Sequence, residues 1–124
     1  MKTDKQIIGD LGEEYALAYL EREGYQLLEK NWRYKKSELD IICTSPNGLL
    51  VFVEVKTRST SSGPSPAEKV NQKKEKMIIK GALAYIDSYK YESEIRFDII
   101  AIQLKSADSY SIEHFEDAFW PGKW

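Results

Sequence analysis

The tetrapeptide Ser45–Gly48, with the sequence SPNG, constrains the fold of this chain more than any other segment. Proline and asparagine at its centre suit a type I turn, and glycine at its end suits the left-handed conformation that follows. Strongly apolar runs lie on both sides, IIC before the turn and LLVFV after it. The segment therefore predicts a β-hairpin with a three-residue loop, in which Ser45 faces Leu49.

This register brings two acidic side chains together on neighbouring strands. Counting outward from the turn, Asp40 lies directly across from Glu54, with their Cβ atoms roughly 5 Å apart. Regular strand alternation predicts that Glu38, Asp40 and Ile42 share one face of the sheet with Glu54 and its strand neighbours Phe52 and Lys56.

Two opposed carboxylates among apolar residues need a neutralising partner. Like charges across a hairpin are destabilising, and burial increases the cost. A divalent cation would offset both charges, since Mg²⁺ accepts carboxylate oxygens. The alternative is a surface hairpin whose acids pair with Lys35, Lys36 or Lys56.

The rest of the chain predicts two helices and three further strands around the hairpin. Residues 4–23 predict a helix capped by Asp4 and ended by Gly24. Residues 57–66 predict a polar loop, and residues 67–89 a second helix. The predicted strands are residues 25–34, 38–44, 49–56, 95–104 and 109–115. The order predicts an α/β fold with an αβββαβ core, a mixed sheet flanked by helices, in a single domain over residues 1–124.

Charge distribution, hydrophobicity and cysteine content limit the classes of protein to which this chain can belong. The 124 residues carry a formal net charge of −2, but residues 30–80 hold 11 Lys and Arg against 5 Asp and Glu. That polarity predicts a local basic surface on an acidic protein. No run of ~18 apolar residues exists, so no membrane association is expected. The single cysteine, Cys43, favours the reducing cytoplasm.

The sequence lacks the motifs of several other kinds of catalytic or binding site. The single histidine, His114, excludes a two-histidine metal motif, and one cysteine excludes a cysteine-based zinc site. No nucleophile-elbow pattern occurs. Gly9 and Gly12 fall inside a predicted helix rather than after a strand, so they form no dinucleotide or phosphate-binding loop.

The ordered motifs resemble a known family. ELDIIC followed by VFVEVKTR is similar to the Asp…Glu-x-Lys signature of the PD-(D/E)XK nuclease superfamily, and the whole chain resembles the YraN-like, endonuclease-like bacterial proteins. The matching residues are Gly9, Gly12, Glu13, Ala16, Tyr19, Leu20, Asn31, Arg33, Glu38, Asp40, the run from Val51 to Arg58, Val70, Lys74, the run from Arg96 to Ile100, and the run from Asp117 to Phe119.

This resemblance implies a metal-dependent phosphodiesterase with a restriction-endonuclease-like fold. Asp40, Glu54 and the Val55 carbonyl would hold Mg²⁺ or Mn²⁺, and Lys56 would orient a water molecule and stabilise developing charge. Glu13 would complete the acidic cluster from the first helix, as in archaeal Holliday-junction resolvases. Helix geometry alone leaves Glu13 and Glu14 as alternatives, since both lie on apolar sides of the helix.

The resemblance and the basic segment together predict DNA as the partner. We expect a structure-selective endonuclease acting on branched or single-stranded segments, with a homodimer as an option. Glu38 is a secondary site residue, near metal-bound water or a lysine. The alternative is a non-catalytic nucleic-acid-binding or DNA-processing partner module on the same fold. The candidate phosphate-contacting residues are Arg33, Lys35, Arg58, Lys73 and Lys74.

Overall fold

The predicted order of helices and strands is confirmed. A computed structural model describes residues 1–59, 71–106 and 108–121. Two helices and five strands form within these ranges. They are α1 (Asp4–Arg22), β1 (Gln26–Tyr34), β2 (Ser37–Thr44), β3 (Leu50–Arg58), α2 (Gln72–Tyr89), β4 (Ile95–Leu104) and β5 (Tyr110–Phe115).

The five strands form one mixed sheet in the order β1-β2-β3-β4-β5. Only β3 and β4 run parallel, and the other neighbours are antiparallel. A parallel pair needs a crossover connection, and α2 supplies it between β3 and β4. The architecture is therefore α/β, with the αβββαβ core expected from the sequence and β5 added at one edge.

The helices cover opposite faces of the sheet. Helix α1 packs on one hydrophobic cluster and α2 on another, and the adjacent residues Ile41 and Ile42 of β2 belong to different clusters. Ala16 of α1 and Ala82 of α2 are both fully buried against the sheet. The sheet is thus the central layer between the two helices.

The ends of α1 follow their sequence signals with one correction. Thr3, not Asp4, is the N-cap, and its hydroxyl accepts a hydrogen bond from the backbone of Gln6 in a capping box. Asp4 instead contributes its negative charge to the first turn. At the other end Gly24 has φ +89° as predicted, and the N–H of Tyr25 donates to the carbonyl of Leu20.

The hairpin forms as the turn predicts. The N–H of Gly48 donates to the carbonyl of Ser45, and Gly48 has φ +89°. The N–H of Ser45 in turn donates to the carbonyl of Leu49. The pairs from Thr44↔Leu50 to Ile41↔Val53 continue the predicted register. The local turn chemistry has therefore set which residues of β2 and β3 meet.

Regular alternation along β2 fails at Asp40. Leu39 and Ile42 both lie in the cluster beneath α2, whereas Ile41 lies in the cluster beneath α1. The pairings of β2 with both neighbouring strands also omit Asp40. The expectation that Glu38, Asp40 and Ile42 share one face by simple alternation is wrong, because the alternation of faces breaks between Leu39 and Ile41. The register with β1 is the same on both sides of this break.

Helix α2 begins later than predicted within the described residues. Asn71 is its N-cap, and the Asn71 side chain accepts a hydrogen bond from the N–H of Lys74. Residues 67–70 of the predicted helix, including Val70, lie outside the described residues. Within the described ranges, neither helix is both long and apolar enough to span a membrane.

Candidate functional site

The two hairpin acids meet at the point where β2 and β3 stop pairing. The N–H of Val55 donates to Asp40 Oδ2 at 2.9 Å, so the Asp40 carboxylate replaces a main-chain acceptor. Glu54 lies close to Asp40, whose negative charge adds to burial in raising the pKa of Glu54. Glu54 is only 5% exposed, although it is ionisable. The break in the alternation of faces along β2 therefore does not separate the two side chains.

Burial and charge change the acidity of Glu54. Desolvation is the largest effect, followed by the negative charge of Asp40, and together they raise the pKa of Glu54 to about 8. The positive charges of Lys74 and Lys56 act in the opposite direction. At neutral pH the Asp40–Glu54 pair thus retains a proton, as expected for two close carboxyl groups.

Helix α2 supplies the direct counter-ion of Glu54. Lys74 Nζ lies 3.4 Å from Glu54 Oε2. From the sequence, the alternatives for the lysine that pairs with the hairpin acids were Lys35, Lys36 and Lys56. Lys74 was predicted only as a phosphate contact. Its ion pair is made possible by the packing of α2 beside β2 and the adjoining β3.

Helix α1 reaches the same site through a glycine. A Cβ added at Gly12 would lie 1.8 Å from Thr57 Oγ1 on β3, so only glycine permits this approach. Gly9 has no atom within 4 Å of the equivalent position, so it makes no such contact. The next residue, Glu13, is thereby held beside the end of the sheet.

The structure distinguishes Glu13 from Glu14. Glu13 is partly buried and borders the cleft, whereas Glu14 is exposed. Burial and the negative charge of Asp40 raise the pKa of Glu13 to about 7, although a hydrogen bond with the Asn31 side chain lowers it. Asn31 adopts φ +52° within β1. Glu13 is therefore electrostatically part of the acidic site.

These residues line a cleft of about 630 Å³ at the end of the sheet. Its acidic floor is Glu13, Asp40 and Glu54, and Lys56 and Arg58 of β3 border it as predicted. Cationic side chains thus surround a buried acidic group. The cleft is lined by Lys5, Ile8, Gly9, Glu13, Asp40, Glu54, Val55, Lys56, Thr57, Arg58, Ser59 and Lys74.

Other predicted residues lie outside this cleft. Arg33 Nη2 pairs with Glu38 Oε2 at 2.7 Å on neighbouring strands. Lys35 Nζ lies 5.3 Å from the ring centroid of Tyr34. Lys73 borders a separate cleft of about 370 Å³, which Glu38 also lines. The structure therefore brings together the predicted catalytic residues and only part of the predicted phosphate-contacting set.

The described side chains offer few ligands for a metal ion. In residues 1–59, 71–106 and 108–121, no three His, Cys, Asp or Glu side chains form a group of metal-binding geometry. The oxygen donors gathered at the hairpin are the two carboxylates of Asp40 and Glu54, with Val55 beside them. Any cation held there would need further oxygen ligands from outside the protein.

Most of the chain matches a known protein family. Residues 12–102 match the family described as "Uncharacterised protein family UPF0102". The chain belongs to the UPF0102 family. A UPF0102 protein of Flavobacterium johnsoniae is 44% identical over 117 residues, covering 91% of this chain and 94% of that protein. A UPF0102 protein of Chlorobium phaeobacteroides is 41% identical, covering 96% and 98%. The predicted YraN-like membership is confirmed.

One solved structure shows a more distant similarity. Pyrococcus furiosus SfsA, in complex with Ca²⁺, has a TM-score of 0.35 and 17% identity. The match covers 91% of the UPF0102 chain and 64% of the SfsA chain. A similarity at this level carries no argument about activity.

Some residues of the UPF0102 site were not predicted as part of it. Lys5 of α1 lines the main cleft, and Lys36 lines the second one. Asn31 was part of a matching motif, but its contact with Glu13 was not expected. An asparagine within a strand is a signal for left-handed backbone, and this signal was available in the sequence.

A second buried charged cluster lies near the C-terminal end of α1. Asp98 is fully buried, and its carboxylate accepts four hydrogen bonds, two from Arg96, one from His114 and one from the N–H of Asp117. Burial raises the pKa of Asp98, but the hydrogen bonds from His114 and Arg96 outweigh it, so the pKa is lowered. The His114 ring also bonds the Tyr19 hydroxyl at 2.9 Å. The cluster ties α1 to β4 and β5.

Proposed function

We propose that this protein is a divalent-metal-dependent endonuclease that hydrolyses phosphodiester bonds of DNA. The observation that carries the proposal is the close approach of Asp40 and Glu54 in a cleft that Lys56 also lines. Glu54 is buried and Asp40 is half-buried. Acids held close together out of water are costly for stability, and catalytic sites are where such groups with shifted pKa values concentrate. Branched or single-stranded DNA is the proposed substrate.

The donor chemistry fits a hard divalent cation. Asp40, Glu54 and the Val55 carbonyl offer only oxygen ligands, which suit Mg²⁺ or Mn²⁺. Mg²⁺ is commonly bound through one or two carboxylates together with substrate phosphates and water. Two protein carboxylates are therefore sufficient if the substrate supplies the remaining oxygens. Such a cation polarises the scissile phosphate and makes a water molecule more acidic.

The residues around the acidic pair have separate roles in this proposal. Lys56 stabilises negative charge that develops on the phosphate. Glu13, with its pKa raised to about 7, exchanges a proton near physiological pH. Arg58 and Lys5 border the cleft and hold flanking phosphates. Hydrolysis then proceeds at the end of a rigid sheet, where the reacting groups are well positioned.

Nuclease assays with matched substitutions test the proposal. Branched, flapped and linear DNA are incubated with Mg²⁺ or Mn²⁺, using wild type, Asp40→Asn and Glu54→Gln. We expect cleavage by wild type only. Glu13→Gln should slow cleavage, and Glu14→Gln, one residue away and exposed, should not. Cleavage that survives both Asp40→Asn and Glu54→Gln would come from a contaminating enzyme and would refute the proposal.

A non-catalytic binding module is the second candidate. It is favoured by the retained proton at Asp40 and Glu54 and by the lack of a three-residue metal group in the described residues. In this case the cationic rim, including Arg58 and Lys74, would bind nucleic acid without cutting it. DNA affinity would then fall as the salt concentration rises, and it would not change with Mg²⁺ or with the substitution Asp40→Asn. A protein-interaction role would remain if no DNA binds at low salt.

A further inference from the structure

The ion pair between Lys74 and Glu54 joins two side chains in very different environments. The Lys74 side chain is 46% exposed, whereas that of Glu54 is 4% exposed. The separation of 3.4 Å allows an ion pair, and the exposed ammonium leaves it at little cost because water replaces the lost partner. The lysine is therefore the exchangeable partner, and the glutamate is the fixed one.

The backbone of Lys74 is held in place by a hydrogen bond, whereas its side chain is half-exposed and joined to the rest of the site only by the ion pair with Glu54. The N–H of Lys74 donates to Asn71 Oδ1 at 2.9 Å, which anchors the first turn of α2. The ammonium at the end of a flexible four-carbon stem can therefore move without disturbing the helix.

Lys74 also stands between two clefts. It lines both the main cleft of about 630 Å³ and the second cleft of about 370 Å³. The second cleft is also lined by Lys36 and Lys73. An ammonium that leaves Glu54 therefore remains close to other lysines, where a phosphate can replace the carboxylate as its partner.

We propose that Lys74 and a divalent cation compete for Glu54, and that the displaced ammonium binds a phosphate of the DNA strand. This inference rests on the proposed nuclease function and assigns Lys74 a positioning role in it. Cation binding would thereby strengthen DNA binding without any change of backbone.

The sign of the competition follows from the charges. The ammonium lies 3.4 Å from Glu54 Oε2, so it repels a divalent cation at this oxygen and also occupies the position beside it. Removing the ammonium therefore favours binding of the cation. A lysine that only neutralised Glu54 for stability would have no cation-dependent effect on DNA.

Cation titration of charge-removing variants provides the first test. Lys74→Met keeps the aliphatic stem, and Lys73→Met removes an equal charge one residue away, outside the main cleft. Calorimetry with Mg²⁺ should show about threefold to tenfold tighter binding for Lys74→Met than for wild type. Lys73→Met and the charge-conserving Lys74→Arg should behave like wild type. Circular dichroism melting confirms that each variant is folded.

DNA binding provides the second test and separates this inference from the nuclease proposal. Anisotropy of a labelled flap DNA is measured in EDTA and with Ca²⁺. Lys74→Met should lose more affinity with Ca²⁺ than in EDTA, whereas Lys73→Met should lose the same amount in both.

Equal behaviour of Lys74→Met and Lys73→Met in both measurements overturns the exchange, even if wild type cleaves DNA. Failure of wild type and Lys74→Met to bind any divalent cation also overturns it. The predicted pattern without any cleavage supports the exchange and refutes only the nuclease.

Discussion

Replacing Gly12 with alanine should separate α1 from β3 beside the acidic cleft. The added Cβ would lie 1.8 Å from Thr57 Oγ1 and 2.8 Å from Thr57 Cβ and Cγ2. No rotation of the Thr57 side chain removes the contact with its Cβ. The helix or the strand must therefore shift, and Glu13 moves with the helix.

Gly9→Ala is the matched control on the same helix. Nothing lies within 4 Å of its added Cβ. Alanine is favoured over glycine within a helix by about 1 kcal/mol, so Gly9→Ala should stabilise the protein by roughly that amount. Gly12→Ala gains the same helix preference, but overpacking costs typically about 1–3 kcal/mol or more. We therefore expect Gly12→Ala to be less stable than Gly9→Ala by at least about 1–3 kcal/mol.

Urea unfolding followed by circular dichroism measures this difference. The double variant Gly12→Ala with Thr57→Ala should lose less stability than the two single changes together, because the clashing Oγ1 and Cγ2 atoms are gone. Gly12→Ala should also weaken any cation binding at the acidic pair. Equal stability of Gly12→Ala and Gly9→Ala would refute the close approach of α1 to the sheet.

Substitutions at Glu54, Asp98 and Asn31 test the buried polar groups, with Asp108→Asn as an exposed control. The pKa of Glu54, about 8 in the folded protein, exceeds its ordinary value of 4.5, so the folded state holds a proton that the unfolded state releases. The free energy of unfolding should therefore fall as pH rises from about 5 to 8. Urea unfolding of Glu54→Gln should show a smaller fall, and an unchanged slope would contradict the burial of this carboxyl group. Asp98→Asn should cost about 3–5 kcal/mol in the same assay, since it leaves Arg96 without its buried partner, and the exposed Asp108→Asn should cost almost nothing. Asn31→Ala should cost about 1–2 kcal/mol because of the left-handed backbone, and Asn31→Gly should cost less. Both Asn31 variants should raise the pKa of Glu13, measured by NMR titration, and an unchanged pKa would exclude the Asn31 hydrogen bond.

Much of the fold was predictable because its signals are local. The SPNG turn set the register of β2 and β3 through backbone sterics within four residues. Gly24 ended α1 for a similarly local reason. The positions of Asp40 and Glu54 on adjoining strands followed directly. The N-cap was wrong by one residue, since Thr3 and Asp4 are both good capping residues.

The arrangement of the site required contacts between distant segments. Lys74 is 20 residues from Glu54 in the sequence, and only the packing of α2 beside β2 and β3 brings them together. The break in the alternation of faces at Asp40 could not be predicted from the sequence either, because both neighbours of this residue are apolar and suit either face of a buried sheet. The choice of Glu13 over Glu14 likewise came from the approach of Gly12 to Thr57.

By itself the sequence determined the hairpin, the order of elements and the pair of acids, since turn geometry and strand pairing act over a few residues. Only the tertiary structure decided which lysine neutralises those acids, which glutamate of α1 lies at the site and which groups form hydrogen bonds with Asp98. These outcomes depend on side chains that meet through packing, and charge interactions become strong only after burial removes water.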